Sequence, residues 1–119
     1  MTEETLSDVL TVNGITITMY AGTIVKIDEA IGGFENLDTL PMNTELQLSM
    51  VKAIVTKYDE EGNPDGYLLN PFTLNAVDFN KIYEWGLRHY EVFILNSSTK
   101  TMEMLKNLQQ KMKEFQTNL

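Results

Sequence analysis

Apolar and polar residues alternate across LTVNGITITMY, so that Leu10, Val12, Ile15, Ile17 and Met19 share one face and Thr11, Thr16 and Thr18 the other. A period of two marks strands with one buried face, and the intervening Asn13-Gly14 supplies the two positive-φ residues of a type I′ turn. A β-hairpin over residues 9–20 is therefore expected. Two strands alone are marginal in water, so the apolar face of this hairpin needs helices or another sheet behind it.

The period then lengthens. Ile24, Ile27, Ala30 and Ile31 have helical spacing, and Gly32-Gly33 offers a left-handed stop, which predicts a helix over about residues 23–31. FENLDTLPM reads as a connector. Thr44 and Gln47 have capping-box spacing, with Asn43 as the alternative N-cap, and two adjoining apolar rows follow: Leu46, Met50, Ile54 and Leu48, Val51, Val55, Tyr58. They predict a helix over about 44–60, although the β-branched residues of AIVTKY also fit a strand. YDEEGNPDGY breaks the element at Gly62, Pro64 and Gly66. Asn75 can then cap a helix over about 76–95, with Asp78 in its first turn and an inner stripe of Phe79, Ile82, Gly86, Tyr90 and Phe93, widened by Tyr83 and Trp85. LNSSTK gathers poor helix formers and predicts an end or a bend near Asn96.

The closing stretch TMEMLKNLQQKMKEFQTNL predicts a last helix over about 100–117. Its apolar residues Met102, Leu105, Leu108, Met112, Phe115 and Leu119 recur at the a/d spacing of a coiled-coil seam. The opposite side is polar. Two covers are open for this stripe: the protein's own hairpin or preceding helix, or the surface of another subunit or partner. Methionine gives the stripe adaptability toward surfaces that vary. The pattern as a whole predicts one α+β domain over residues 1–119, mainly helical, with an N-terminal β-hairpin and a long amphipathic C-terminal helix.

Composition bounds the function. A chain of 119 residues with 43% hydrophobic and 22% charged residues has the makeup of a folding globular domain. The formal net charge is −8, and residues 26–69, with three basic and nine acidic side chains, hold most of it. Residues 99–119 are basic instead, with four lysines against two glutamates. Such a field repels phosphate backbones, so neither direct nucleic-acid binding nor membrane binding is expected, and basic protein surfaces are the favoured partners. The chain has no cysteine, which removes disulfides and thiolate metal sites. The acidic, polar start MTEETLSDVL lacks the basic and apolar regions of a secretory signal, and no apolar run reaches the length of a membrane span. A cytoplasmic setting is expected, in a host cytoplasm or a virion if the source is viral.

The candidate chemistry is thin. DEEGNPDG places Asp59, Glu61, Asn63 and Asp65 at alternate positions, as in a calcium loop. Pro64 stands where that loop needs glycine and Asn70 where it needs a bidentate glutamate, so an acidic turn is the reading. His89 is the only histidine, which excludes His/Cys zinc sites and leaves any catalytic triad to a single ring. No carboxylate pair sits on an evident rigid framework, and no glycine pattern makes a phosphate loop. Trp85 with Tyr83, Tyr90 and Phe93 fits a core better than a base-stacking platform. No catalytic residue, cofactor, metal or small-molecule substrate is expected, and an enzyme is not.

Two functions remain. The first is a small oligomerising assembly, accessory or structural protein whose C-terminal stripe binds a protein partner or another copy. The order of the VNGITITM hairpin followed by helices is similar in general layout to small phage tail-assembly chaperones, a resemblance that implies a viral source and a role in assembly. The second is an acidic inhibitor or nucleic-acid mimic for a basic groove on a host protein. Its charge would come from Asp28, Glu29, Glu35 and Asp38 in the first half and from Asp59, Glu60, Glu61 and Asp65 around the turn.

Overall fold

The computed structural model describes residues 6–117, with side chains as far as residue 96. The chain opens with strands β1 (Val9–Val12) and β2 (Ile15–Thr18), paired antiparallel with Val12 opposite Ile15 and Leu10 opposite Ile17. Asn13 and Gly14 both have positive φ, 53° and 77°, as the two-residue turn requires. Val12, Ile17 and Met19 are buried, while the hydroxyls of Thr11 and Thr16 meet on the other face at 3.3 Å.

Helix α1 (Ala21–Ile31) stops where the sequence provides for it. Gly32 takes φ 79°, its N–H reaching Glu29 O and that of Gly33 reaching Asp28 O, the pair of bonds that defines a Schellman cap. Two short 3-10 turns, Phe34–Asn36 and Leu40–Met42, lead to α2 (Thr44–Val55). Its N-cap is Asn43, whose side chain accepts from Leu46 N at 3.1 Å. Gln47 does not close a capping box on Thr44; its amide donates to the carbonyls of Leu40 and Pro41 and fastens the preceding turn.

The helix expected over 44–60 ends at Val55. Both the N–H and the hydroxyl of Thr56 bond to Lys52 O, which closes the last turn, and the backbone passes directly into β3 (Thr56–Tyr58). Tyr58 ties the new direction back to the helix by donating its phenol to Ala53 O at 3.0 Å. β3 pairs antiparallel with β4 (Pro64–Tyr67), forming a second two-stranded sheet separate from the first. Helix α3 (Ala76–Thr117) starts under an Asn75 cap, with Asp78 N at 2.8 Å from its side-chain oxygen. It does not end at Asn96 but continues unbroken to Thr117. The run Asn96-Ser97-Ser98-Thr99 contains neither glycine nor proline, and ordinary poor helix formers cost only up to about 0.7 kcal/mol each.

The three helices pack around one core in which Ile27, Ile31, Met50, Val51, Val55, Ile82 and Tyr90 are all but fully buried, and the hairpin adds Val12 and Ile17 from above. Gly86 sits at the α2–α3 crossing, where a Cβ would lie 2.2 Å from Ile54 Cδ1, so the two helices meet there because the residue lacks one. The result is a single α+β domain, mainly helical, with an N-terminal hairpin and a long C-terminal helix. Among the described residues no helix is long and apolar enough to cross a membrane.

Candidate functional site

A concavity lies between the two hairpins. It has a volume of about 350 Å³, with Thr16, Thr18 and Tyr20 on one wall and Thr56, Lys57 and Tyr58 on the other. The register of the first hairpin determines what its wall presents. A two-residue turn makes Val12 and Ile15 a hydrogen-bonded pair, so Leu10 with Ile17 and Asp8 with Met19 are bonded pairs too, and Met19 N indeed reaches Asp8 O at 2.8 Å. The N–H and C=O groups of Thr16 and Thr18 must then point away from β1.

The same alternation applies opposite. Val55 O accepts from Leu68 N at 2.7 Å and Asp59 N donates to Asn63 O at 2.9 Å, so residues 55, 57 and 59 turn toward β4. Thr56 and Tyr58 turn outward. Thr56 N is already given to Lys52 O, which leaves Thr56 C=O and both backbone groups of Tyr58 on an open edge. Among the described residues, none of these outward groups on β2 or β3 has a backbone partner.

The charge around this groove is opposite to that of the chain. Five cationic residues fall within the described side chains, and three of them border β3. Lys57 belongs to the strand and lines the groove. Lys26 places its ammonium 5.5 Å from the centre of the Tyr58 ring and 3.6 Å from Glu29. Lys52 lies beside Thr56 and Tyr58 in an adjoining hollow, its ammonium 5.4 Å from the Phe72 ring centre. Burial pushes the Tyr58 phenol up, the Thr56 hydrogen bond opposing and the Glu29 charge reinforcing the shift.

The acidic residues of the sequence are differently placed. Asp28 accepts a 2.5 Å hydrogen bond from the fully buried Tyr90, linking α1 to α3. Burial, the Asp28 hydrogen bond, and the charges of Asp28 and Glu35 push that phenol well above the usual tyrosine range. Glu29 pairs with Lys26. Asp59 Oδ1 accepts from the N–H groups of Glu61 and Asn63, both at 2.9 Å, and so organises the β3–β4 turn. Glu35, Asp38, Glu60, Glu61 and Asp65 are exposed. No group of three or more His, Cys, Asp or Glu side chains among the described residues is arranged to hold a metal ion.

His89 is nine-tenths buried, and its Nε2 lies 2.7 Å from Ser7 O, the carbonyl that also accepts from Trp85 Nε1 at 2.8 Å. A carbonyl only accepts, so this ring nitrogen carries the proton. The two rings meet edge to face, 5.1 Å apart. Together they pin the start of the hairpin to α3, and neither ring is available as a stacking platform. The Tyr83 hydroxyl is buried without a partner, and burial, with the charges of Glu91 and Glu84, pushes it up.

Met102, Leu105, Leu108, Met112 and Phe115 lie on α3 where only the backbone is described, and Leu119 lies outside the described residues. The groove itself was not legible in the sequence. Its walls come from segments some forty residues apart, and its lysines are submerged in the most acidic part of the chain. The one local signal was the β-branched run at AIVTKY. Compared with protein-family models, curated proteins and solved structures, the chain matches none.

Proposed function

We propose that this protein is a non-enzymatic assembly or accessory protein that joins a protein partner or further copies of itself through the C-terminal half of α3. One observation supports this most. α3 continues unbroken to Thr117, carrying the stripe from Met102 to Phe115 on one helix with the core residues Ile82 and Tyr90. At 3.6 residues per turn the helix runs more than six turns past Ile94. By sequence spacing alone, the stripe from Met102 to Phe115 falls on an ideal helix in line with Tyr83, Leu87, Tyr90 and Ile94, so it prolongs one edge of the core-facing side. So long an apolar row needs a cover, which a partner or a second copy would supply. The general layout, similar to that of small phage tail-assembly chaperones, agrees with a role in building a viral particle.

The acidic-inhibitor reading has less support, because Asp28, Glu29 and Asp59 already hold partners within the fold. The test is light scattering after size exclusion on the full chain and on a Leu105→Asp, Leu108→Asp, Met112→Asp variant. The full chain should run as an oligomer whose mass holds as salt is raised, since apolar docking is little screened, and the variant as a folded monomer. A monomeric full chain with a variant that unfolds would make the stripe ordinary core and end the proposal.

A further inference from the structure

We propose that the groove between β2 and β3 is a docking slot for an extended, acidic peptide segment of a partner protein, which enters as a strand and joins the two hairpins into one five-stranded sheet. The inference is independent of the α3 association and stands or falls separately. It starts from two open edges facing one groove: Thr16 and Thr18 of β2 on one side, Thr56 and Tyr58 of β3 on the other. Open edges are templates for strand addition, and native proteins normally cover or blunt them. Here two such edges line the same 350 Å³ space, and neither hairpin is extended by the other. One inserted strand would give both sets of backbone groups their partners at once.

Charge selects the occupant. Lys57 stands on the β3 edge, with Lys26 and Lys52 beside Tyr58 and Thr56. Lysine on an edge discourages indiscriminate pairing with neutral or basic strands. For a strand that carries carboxylates the same lysines become counter-charges. The first turn of α1 adds to this: it has neither an acidic residue nor a side-chain cap, and Tyr20 and Thr23 at its start line the groove. Three of the five cations among the described side chains border β3, so this groove offers an acidic segment counter-charge. The alternation of side chains along the slot favours a peptide with acidic residues at every second position.

The experiment uses the full chain and two acetylated, amidated hexapeptides, Glu-Val repeated three times and Lys-Val repeated three times, followed by fluorescence anisotropy and by amide chemical shifts. The Glu-Val peptide should bind at least about tenfold more tightly than the Lys-Val peptide, and the amides of Thr16, Thr18 and Tyr58 should move. Thr16→Pro removes an outward N–H without touching a bond to β1, a position where an edge strand tolerates proline. It should abolish binding while circular dichroism stays unchanged. Lys57→Glu, which leaves the backbone edge intact, should reverse the preference between the two peptides. The proposal is overturned if both peptides bind equally, if folded Thr16→Pro binds as well as the natural chain, or if the Lys57→Glu preference is unaltered. It is equally overturned if those amides shift with protein concentration alone, which would make a second copy the occupant.

Discussion

Replacing Gly86 with alanine tests how α2 and α3 approach one another, and the outcome depends on two opposing terms of similar size. Alanine in place of glycine inside a helix is worth about 1 kcal/mol of propensity. Against that, the new methyl would sit 2.2 Å from Ile54 Cδ1 and 3.3 Å from its Cγ1, with Ile27 Cδ1 at 4.0 Å behind. The end of the Ile54 side chain must therefore move, yet Ile54 is only 3% exposed and packed in the core. Overpacking of this kind costs about 1–3 kcal/mol, so Gly86→Ala should lose about 1 kcal/mol net. Ile54→Val removes the clashing Cδ1 and on its own should cost about 1 kcal/mol for the void it leaves. The two changes together place the alanine methyl where Cδ1 was. The double variant should then lie within about 0.5 kcal/mol of the natural chain, a coupling of about 1.5–2.5 kcal/mol. Urea unfolding followed by far-ultraviolet circular dichroism, at one fixed protein concentration because association shifts midpoints, measures all four proteins. If the single losses simply add, or if Gly86→Ala alone is stabilising, the close crossing is refuted.

Tyr90→Phe should cost about 2 kcal/mol at neutral pH, the range for a hydrogen bond to a charged acceptor, since it strips the phenol from Asp28 in a buried site. The pH dependence follows from the direction of the shift. A tyrosine whose pKa is raised on folding contributes stability that is fully present below the unfolded value of about 10 and is lost as pH rises through the folded value. The natural chain should therefore lose its advantage over Tyr90→Phe in alkaline urea titrations, and a gap that stayed constant to pH 11 would contradict the assignment. At the start of α2, Asn43→Ala should cost about 1 kcal/mol and Thr44→Ala only a few tenths, because Asn43 is the residue that accepts from Leu46 N; equal losses in urea unfolding would argue against that cap.

Which parts of this fold could be read from the chain follows from where the controlling contacts lie. The first hairpin was legible because Asn13-Gly14 sets both turn and register within a dozen residues. The α1 stop at Gly32 and the Asn75 cap of α3 are equally local. The end of α2 was not, because LQLSMVKAIVTKY keeps a helical apolar pattern through Tyr58. What ends the helix at Val55 is the closure of the last turn by Thr56 on Lys52 and the pull of a β4 partner several residues further on. Near Asn96 the pattern predicts an end or a bend, and the helix does not end there. Asn96, Ser97, Ser98 and Thr99 favour caps and turns, but the run holds neither glycine nor proline, so the helix passes through it at a modest cost in propensity.

The charge of the chain shows most clearly how linear sums differ from surfaces. Residues 26–69 are strongly acidic, which invited the reading of an acidic face turned toward a basic partner. Folding uses three of those carboxylates for its own purposes: one on Tyr90, one on Lys26, one to shape the β3–β4 turn. It also gathers the segment's only three lysines, spaced 26 and 5 residues apart in sequence, around β3. The acidic segment thus carries a basic site. Lys57 lines the groove and Lys26 lies 5.5 Å from the Tyr58 ring, so these cations set the near field, offset in part by Glu29 at 3.6 Å from Lys26, while carboxylates beyond a Debye length, roughly 8 Å at physiological salt, are screened. A partner reading this surface at close range meets a positive strand edge, while one steered from afar meets a negative protein. Raising salt screens the far field first, so an acidic peptide should associate faster at moderate salt than at very low salt, the reverse of what an acidic mimic of nucleic acid would show toward its basic target.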